Sequence, residues 1–267
     1  MRMFDQRLDR RLFLGGLFGA AALSAAPAFA RGAKLAGVQA LLDSYAPVKL
    51  PGVGGAVGFG GAAPTFLAAG ALARDSKTPV DADTLWRVYS MTKPITGMAA
   101  MILVEEGRLS LDQDIADFIP GFKNPRVLVD PAKDLTSRPA ARPITVRNLL
   151  THTAGLGYTI VTKGPLLAEY QRLGLNPAAA SRKSLPGFPD VPTAPSLAAF
   201  ADRLATLPLI ADPGAKWSYS VGLDLLGRVI EVASAMPFDR FLQTRIFDPL
   251  GMTSTWFQVP ASALPRL

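Results

Sequence analysis

The chain has 267 residues, enough for one large domain or two small ones, and 49% of them are hydrophobic, so a sizeable core is expected and dominant disorder is excluded. It contains no cysteine and a single histidine, which excludes disulfide frameworks, thiol catalysis and multi-histidine metal sites. Any chemistry must therefore use hydroxyl, lysine and carboxylate groups, and we predict neither a metal nor a cofactor. The net charge of +7 shows no visible clustering, so no nucleic-acid partner is expected.

Residues 1–30 have the pattern of a cleavable export signal. A polar, arginine-containing start leads into the apolar run Leu12–Leu23 and ends at Ala28-Phe29-Ala30. The adjacent Arg10 and Arg11 resemble a twin-arginine signal, although Asp9 stands where Ser or Thr is usual. As a helix the apolar run would rise only about 18 Å, short of the roughly 30 Å of a bilayer core. We therefore predict a periplasmic or secreted protein with no stable membrane span after the signal is removed.

The next segment, residues 31–80, has the pattern of a helix followed by a β-hairpin. The helix is predicted over Leu35–Tyr45, and the apolar runs Val53–Phe59 and Thr65–Leu72 flank Gly60-Gly61. A two-stranded hairpin is only marginally stable alone, so these strands need further strands or a helix packed against them. We assign the segment to the N-terminal part of an α/β domain.

Residues 81–267 are predicted to contain a buried helix and then a mostly helical domain. The helix covers Ser90–Glu106, with Gly107 in the C-cap position and apolar residues, Met98 among them, on most of its faces. The proline-rich stretch 120–195 is typical in part of an extended surface insertion. Further helices are predicted at Val146–Leu150 with Thr145 as N-cap, and at Leu197–Leu207, Leu223–Ala235 and Phe238–Ile246.

The pair Ser90 and Lys93 is the first candidate for chemistry. Three residues apart at a helix start, the hydroxyl and the amine lie on one face, so the lysine can accept or shuttle the serine proton. The helix N-terminus also favours negative charge that develops on an attacked carbonyl. With 14 Ser and 9 Lys in the chain, chance gives about 0.5 such spacings, so the pair alone establishes little.

Tyr219 and His152 are the other candidates. Tyr219 follows a Pro-Gly turn and precedes a helix, where it could project into a cleft or simply pack. His152 lies in a helical turn ended by Gly155, and we predict that it fixes the local loop by hydrogen bonds and does not abstract a proton. No Gly-x-Ser-x-Gly elbow is present, which excludes an α/β-hydrolase.

Five blocks in order resemble the serine hydrolases that share the class C β-lactamase and penicillin-binding-protein fold: Leu85–Lys93, Glu106–Asp112, Ile144–Leu156, Pro213–Ser220 and Asp248–Met252. The resemblance implies an α+β fold of the β-lactamase/transpeptidase type, with an antiparallel sheet and helices plus a mostly helical domain. It also implies Ser90 as the acylated nucleophile, Lys93 as its proton partner and Tyr219 as the base.

Two departures from the family pattern shape the expected function. Val221 stands where lactamases and peptidases have an asparagine that hydrogen-bonds a substrate amide, which favours the carboxylesterase (family VIII) branch. The family's third motif lies on a strand after the helical domain, and the chain ends at Leu267 before such a strand. We therefore expect a C-terminally incomplete member without the C-terminal strands and without the second oxyanion donor beside the Ser90 N–H.

The resemblance implies a serine hydrolase that cleaves ester bonds through an acyl-enzyme on Ser90, and the signal pattern of residues 1–30 implies that it is exported. Its substrate would be a small-molecule ester or a β-lactam-like compound. Two alternatives stay open: a β-lactamase or D-amino-acid peptidase of the penicillin-binding type, or an inactive remnant.

Overall fold

The computed structural model describes residues 28–176 and 193–267. The predicted export signal therefore lies almost entirely outside the described residues. The described residues divide into two compact units: one contains those up to Trp86 together with Pro260–Leu267, and the other contains those between Arg87 and Val259. The domain boundaries expected from the sequence stay predictions.

The first unit is built on one helix and one hairpin. Helix α1 covers Ala28–Tyr45, and strands β1 (Gly52–Val57) and β2 (Thr65–Gly70) pair antiparallel, with Gly52 opposite Gly70. The predicted hairpin is confirmed. Helix α1 lies against it, and the Gln39 side chain donates to the Ala68 carbonyl at 2.8 Å. A 3-10 turn, Ala261–Arg266, closes the unit. Among the described residues, no helix has both the length and the apolar character needed to cross a bilayer.

The second unit is mostly helical. Its helices are α2 (Thr92–Glu105), α3 (Val146–Leu150), α4 (Pro165–Arg172), α5 (Leu197–Ala205), α6 (Gly222–Ser234) and α7 (Phe238–Leu242). A short antiparallel pair, β3 (Arg126–Leu128) and β4 (Ser137–Pro139), lies in the proline-rich stretch. Single turns of 3-10 helix form at Tyr89–Met91, Ile115–Asp117 and Pro120–Phe122, and a π-turn at Gln243–Phe247 continues α7.

The predicted ends of two helices are confirmed by their capping groups. The Thr145 hydroxyl accepts the Asn148 N–H at 3.2 Å, and the Asn148 side chain accepts the Thr145 N–H at 3.0 Å. This reciprocal capping box satisfies two backbone donors that the first turn of α3 would leave unpaired. After α2, Gly107 has φ +69°, the left-handed conformation that ends a helix and that glycine adopts without a steric cost.

Helix α6 is the centre of the second unit, since α2, α3, α5 and α7 all pack against it. Its core residues are fully buried: Leu225, Leu226, Val229 and Ile230. Helix α2 buries only one face, through Thr96, Ala99, Ala100 and Leu103. The prediction of a buried helix holds for this face, whereas Met98 on another face is 47% exposed.

Candidate active site

Ser90 lies just before helix α2 and not within it. It is the middle residue of the 3-10 turn Tyr89–Met91, and α2 begins two residues later. The Lys93 ammonium, on the first turn of α2, donates to the Ser90 hydroxyl with an Nζ–Oγ distance of 3.3 Å. Tyr89 has φ +41°, a left-handed conformation that costs a residue with a Cβ roughly 1–2 kcal/mol. The turn that presents Ser90 is therefore held in place by its surroundings.

Tyr219 completes a hydrogen-bonded group of three side chains. Its hydroxyl lies 3.1 Å from the Ser90 Oγ, and the Lys93 Nζ lies 5.1 Å from the centroid of its ring. The loop that carries Tyr219 runs from the Pro213-Gly214 turn to the start of α6. The structure thus brings together the three side chains selected from the sequence, and their catalytic roles stay predictions.

The electrostatics of this group favour loss of the phenolic proton. Hydrogen bonding to Lys93 first, and to Ser90 second, lowers the pKa of Tyr219, while burial acts in the opposite direction. The Tyr219 hydroxyl lies 3.1 Å from the Ser90 Oγ, and its pKa is lowered. It therefore has both the position and the acidity of a base that can receive the serine proton.

His152 forms hydrogen bonds that fix a loop, as predicted, but the loop is the distant segment around Ser220 and not its own turn. Its Nδ1 accepts the Ser220 N–H at 3.2 Å and lies 3.1 Å from the Ser220 hydroxyl. The imidazole ring packs against Tyr219 with a centroid distance of 4.8 Å and meets the Trp217 ring edge-on at 6.2 Å. Burial first, and the charge of Lys93 second, lowers the pKa of His152.

Two further residues near Tyr219 were missed by the sequence analysis. The Tyr158 ring packs against the Tyr219 ring with centroids 5.4 Å apart. Asp224 lies in the first turn of α6, and burial raises its pKa to about 6, opposed by the charge of Lys93. The sequence does carry a signal for Asp224, an acidic residue in a first helical turn, but that pattern is also common at exposed helix ends.

Val221, which stands at the position of the family's asparagine, lies in the hydrophobic core of the second unit. Its side chain is fully buried, and its N–H donates to the Gly157 carbonyl at 3.1 Å as α6 begins. Among residues 28–176 and 193–267, there is also no cluster of three or more acidic or histidine side chains that could hold a metal ion.

The comparisons with known proteins identify the family. A family model described as Beta-lactamase matches residues 38–267. Protein Rv1367c of Mycobacterium tuberculosis is 40% identical over 193 residues, 72% of this chain and 44% of that protein. Esterase EstB of Burkholderia gladioli is 35% identical over 184 residues, 69% of this chain and 41% of the esterase.

A solved structure of a similar protein has the same fold. Unliganded simvastatin synthase (LovD) from Aspergillus terreus matches with a TM-score of 0.65 and 29% identity over 87% of this chain and 57% of that chain. The α+β fold expected from the sequence is confirmed. The chain spans less than half the length of the two curated relatives named above. Since the family model covers most of the chain, and a relative of known structure has the same fold, the chain belongs to the beta-lactamase family.

Proposed function

We propose that the chain is a serine hydrolase that cleaves carboxylic esters through an acyl-enzyme on Ser90. One observation carries the proposal: the Ser90 hydroxyl lies within hydrogen-bond distance of both the Tyr219 hydroxyl, at 3.1 Å, and the Lys93 amine, at 3.3 Å. A nucleophile beside a base that a third group orients is the arrangement that acyl transfer requires.

In the proposed reaction, deprotonated Tyr219 takes the Ser90 proton as the Oγ attacks the ester carbonyl. The Ser90 backbone N–H stabilises the negative charge that develops on the carbonyl oxygen. Tyr219 then returns the proton to the departing alcohol, which leaves the acyl group on Ser90. In the second half, Tyr219 takes a proton from water, the hydroxide attacks the acyl-enzyme, and Ser90 recovers its proton as the acid is released. Lys93 keeps the phenolate and the serine oxygen in place by donating hydrogen bonds.

Esters are the favoured substrates for two reasons. The side chain of Val221 is buried in the core, so it leaves no amide partner for a β-lactam or a peptide at that position. In addition, the relative EstB is named as an esterase. We expect p-nitrophenyl esters of short acids to be hydrolysed faster than the chromogenic cephalosporin nitrocefin. Strong nitrocefin turnover would reverse the preference, and stable acylation by a penicillin would favour a penicillin-binding role.

A fluorophosphonate probe tests the nucleophile directly. We expect the probe to label the chain on Ser90, as read by mass spectrometry of the labelled peptide. Ser90→Ala should abolish labelling, whereas Ser110→Ala, at an exposed serine on the segment after α2, is the matched control and should leave it unchanged. Labelling that survives Ser90→Ala would remove Ser90 from the mechanism.

We also propose that the protein is exported in the folded state by its arginine pair. Support comes from the sequence alone, with Arg10 and Arg11 ahead of an apolar run and a small-residue site. Replacing both with lysine should retain the protein in the cytoplasm of a bacterial host, as measured by fractionation. The control replaces Arg2 and Arg7 with lysine, which leaves the adjacent pair intact, and it should be exported. Export of the Arg10→Lys, Arg11→Lys variant would exclude the twin-arginine route.

A further inference from the structure

Three contacts join His152 to the segment Ser218–Ser220, which carries Tyr219 at its centre. The Ser218 N–H donates to the His152 carbonyl at 2.9 Å, and the Ser220 N–H donates to the His152 Nδ1 at 3.2 Å. Between these two hydrogen bonds, the imidazole packs against the Tyr219 ring with centroids 4.8 Å apart. One residue therefore fixes the backbone on both sides of Tyr219 and also contacts its ring.

These hydrogen bonds determine which imidazole nitrogen carries the proton. A backbone N–H can only donate, so Nδ1 must accept and the proton of the neutral ring lies on Nε2. The Ser220 hydroxyl accepts the Gly222 N–H at 3.2 Å, so its own proton is available to the same Nδ1. Burial and the charge of Lys93 lower the pKa of His152 and so favour this neutral form.

The same assignment excludes His152 as the base for Ser90. In the neutral ring Nδ1 is already occupied by Ser220, and Nε2 carries a proton and can only donate. The Ser90 hydroxyl is instead 3.1 Å from the Tyr219 hydroxyl. The contacts of His152 nearest the reacting hydroxyls are those with the Tyr219 ring and with Ser220 on the Tyr219 loop.

We propose that His152 is a positioning residue that holds the Tyr219 hydroxyl within hydrogen-bond distance of Ser90, with its Nδ1 acting as an obligatory acceptor for the Ser220 N–H. Protonation of the ring would turn Nδ1 into a donor that faces the Ser220 N–H, so this hydrogen bond would be lost while the backbone bond from Ser218 stays. Two titratable groups act on the imidazole: the charge of Lys93 disfavours the imidazolium form, and the Tyr219 ring packs against the imidazole.

The first test needs no turnover. Because His152 is the single histidine of the chain, ¹⁵N-labelled histidine gives one imidazole signal set in the full protein, purified with a tag that contains no histidine. We expect long-range ¹H–¹⁵N spectra at neutral pH to show a protonated Nε2 and an unprotonated Nδ1. A protonated Nδ1, or averaging between the two tautomers, would overturn the proposal.

The second test compares two variants that both suit the backbone at this position. His152 has φ +55°, a left-handed conformation that asparagine and glycine tolerate. His152→Asn keeps an acceptor near the position of Nδ1, whereas His152→Gly removes the acceptor. On a p-nitrophenyl ester we expect kcat to fall about 100-fold in His152→Gly, the scale for a misplacement of roughly 1 Å, with KM changed little. His152→Asn should stay within about tenfold of the native kcat.

Equal losses in the two variants, or native kcat in His152→Gly, would overturn the proposal, and circular dichroism shows whether each variant is folded. If His152→Gly does not fold, the tautomer measurement decides alone. The kinetic test rests on the proposed function, but the tautomer measurement does not. A native chain that hydrolyses no ester would therefore count against the proposed function and leave the assignment of Nδ1 testable.

Discussion

The charge of Asp224 acts on Tyr219, and a substitution can measure how this charge affects stability. It lies in the first turn of α6, and burial raises its pKa from 3.8 to about 6, while the charge of Lys93 acts to lower it. The folded protein therefore binds this proton more tightly than the unfolded chain does. It follows that the charged carboxylate destabilises the fold, and that this cost develops as the pH rises from about 4 to about 6 and is complete above that range.

Asp224→Asn removes the charge and should stabilise the protein in a pH-dependent way. A pKa raised from 3.8 to about 6 corresponds to about 3 kcal/mol. The side chain is partly exposed, so solvent lowers that value, and we expect a gain of about 1 to 3 kcal/mol in the free energy of unfolding at pH 8. At pH 4 the native carboxyl is protonated in the fold, so the two proteins should differ by less than about 1 kcal/mol.

Urea unfolding at the two pH values measures both differences. The matched control is Asp239→Asn, an exposed aspartate in the first turn of α7, which changes the interaction with a helix N-terminus without a buried charge. The control should shift stability by less than about 1 kcal/mol at either pH. An Asp224→Asn protein that is less stable at pH 8, or that differs from native equally at pH 4 and pH 8, would refute the reasoning.

Three further predictions concern the site and its supporting loop. Tyr219→Phe should lower the rate of acylation about 100-fold or more, because it removes the base. Stopped-flow ester hydrolysis measures this rate, and a native rate would mean that Tyr219 only packs. Lys93→Ala should lower acylation by at least about 100-fold with the helical circular dichroism retained, and unchanged turnover would make Lys93 structural. Arg138 first, and the Ala141 N–H second, lower the pKa of Asp212 to about 2, so the carboxylate stabilises the fold above about pH 4, and this contribution disappears as the pH falls through about 2. Asp212→Asn should therefore lower Tm at pH 7 and leave it nearly unchanged at pH 2, and an equal loss at both would contradict this assignment.

Local spacing was sufficient to predict the parts of the site that are close in sequence. Ser90 and Lys93 are three residues apart, across the 3-10 turn and the start of α2, and their polar atoms lie 3.3 Å apart. The N-cap of α3 could be predicted for the same reason, since Thr145 directly precedes the helix, but the reciprocal bond from Asn148 was not predicted. Even here the helix start was misplaced by two residues, because the left-handed Tyr89 produces a separate 3-10 turn around Ser90.

The spacing of residues along the sequence could not predict contacts between distant segments. Tyr219 is 129 residues from Ser90, and only the resemblance to a family connected the two. The hydrogen bonds of His152 to Ser220 span 68 residues, so the sequence could indicate a loop-fixing role but not the partner or the tautomer. The raised pKa of Asp224 depends on how deeply α6 is buried, which is a property of the packed unit and not of the residues around Asp224 in the sequence.

The distance between the Ser90 and Tyr219 hydroxyls therefore depends on the packing of two helices. Helix α2 carries Lys93 and follows Ser90, and the loop of Tyr219 ends where α6 begins. These helices pack together, and α2 contributes a buried face that includes the small residues Ala99 and Ala100. Packed interiors transmit small changes in volume, so a displacement of α2 against α6 changes the distance between the Ser90 and Tyr219 hydroxyls directly. The hydrogen bonds of His152 also hold the Tyr219 loop, so that distance depends both on core packing on the serine side and on these hydrogen bonds on the tyrosine side.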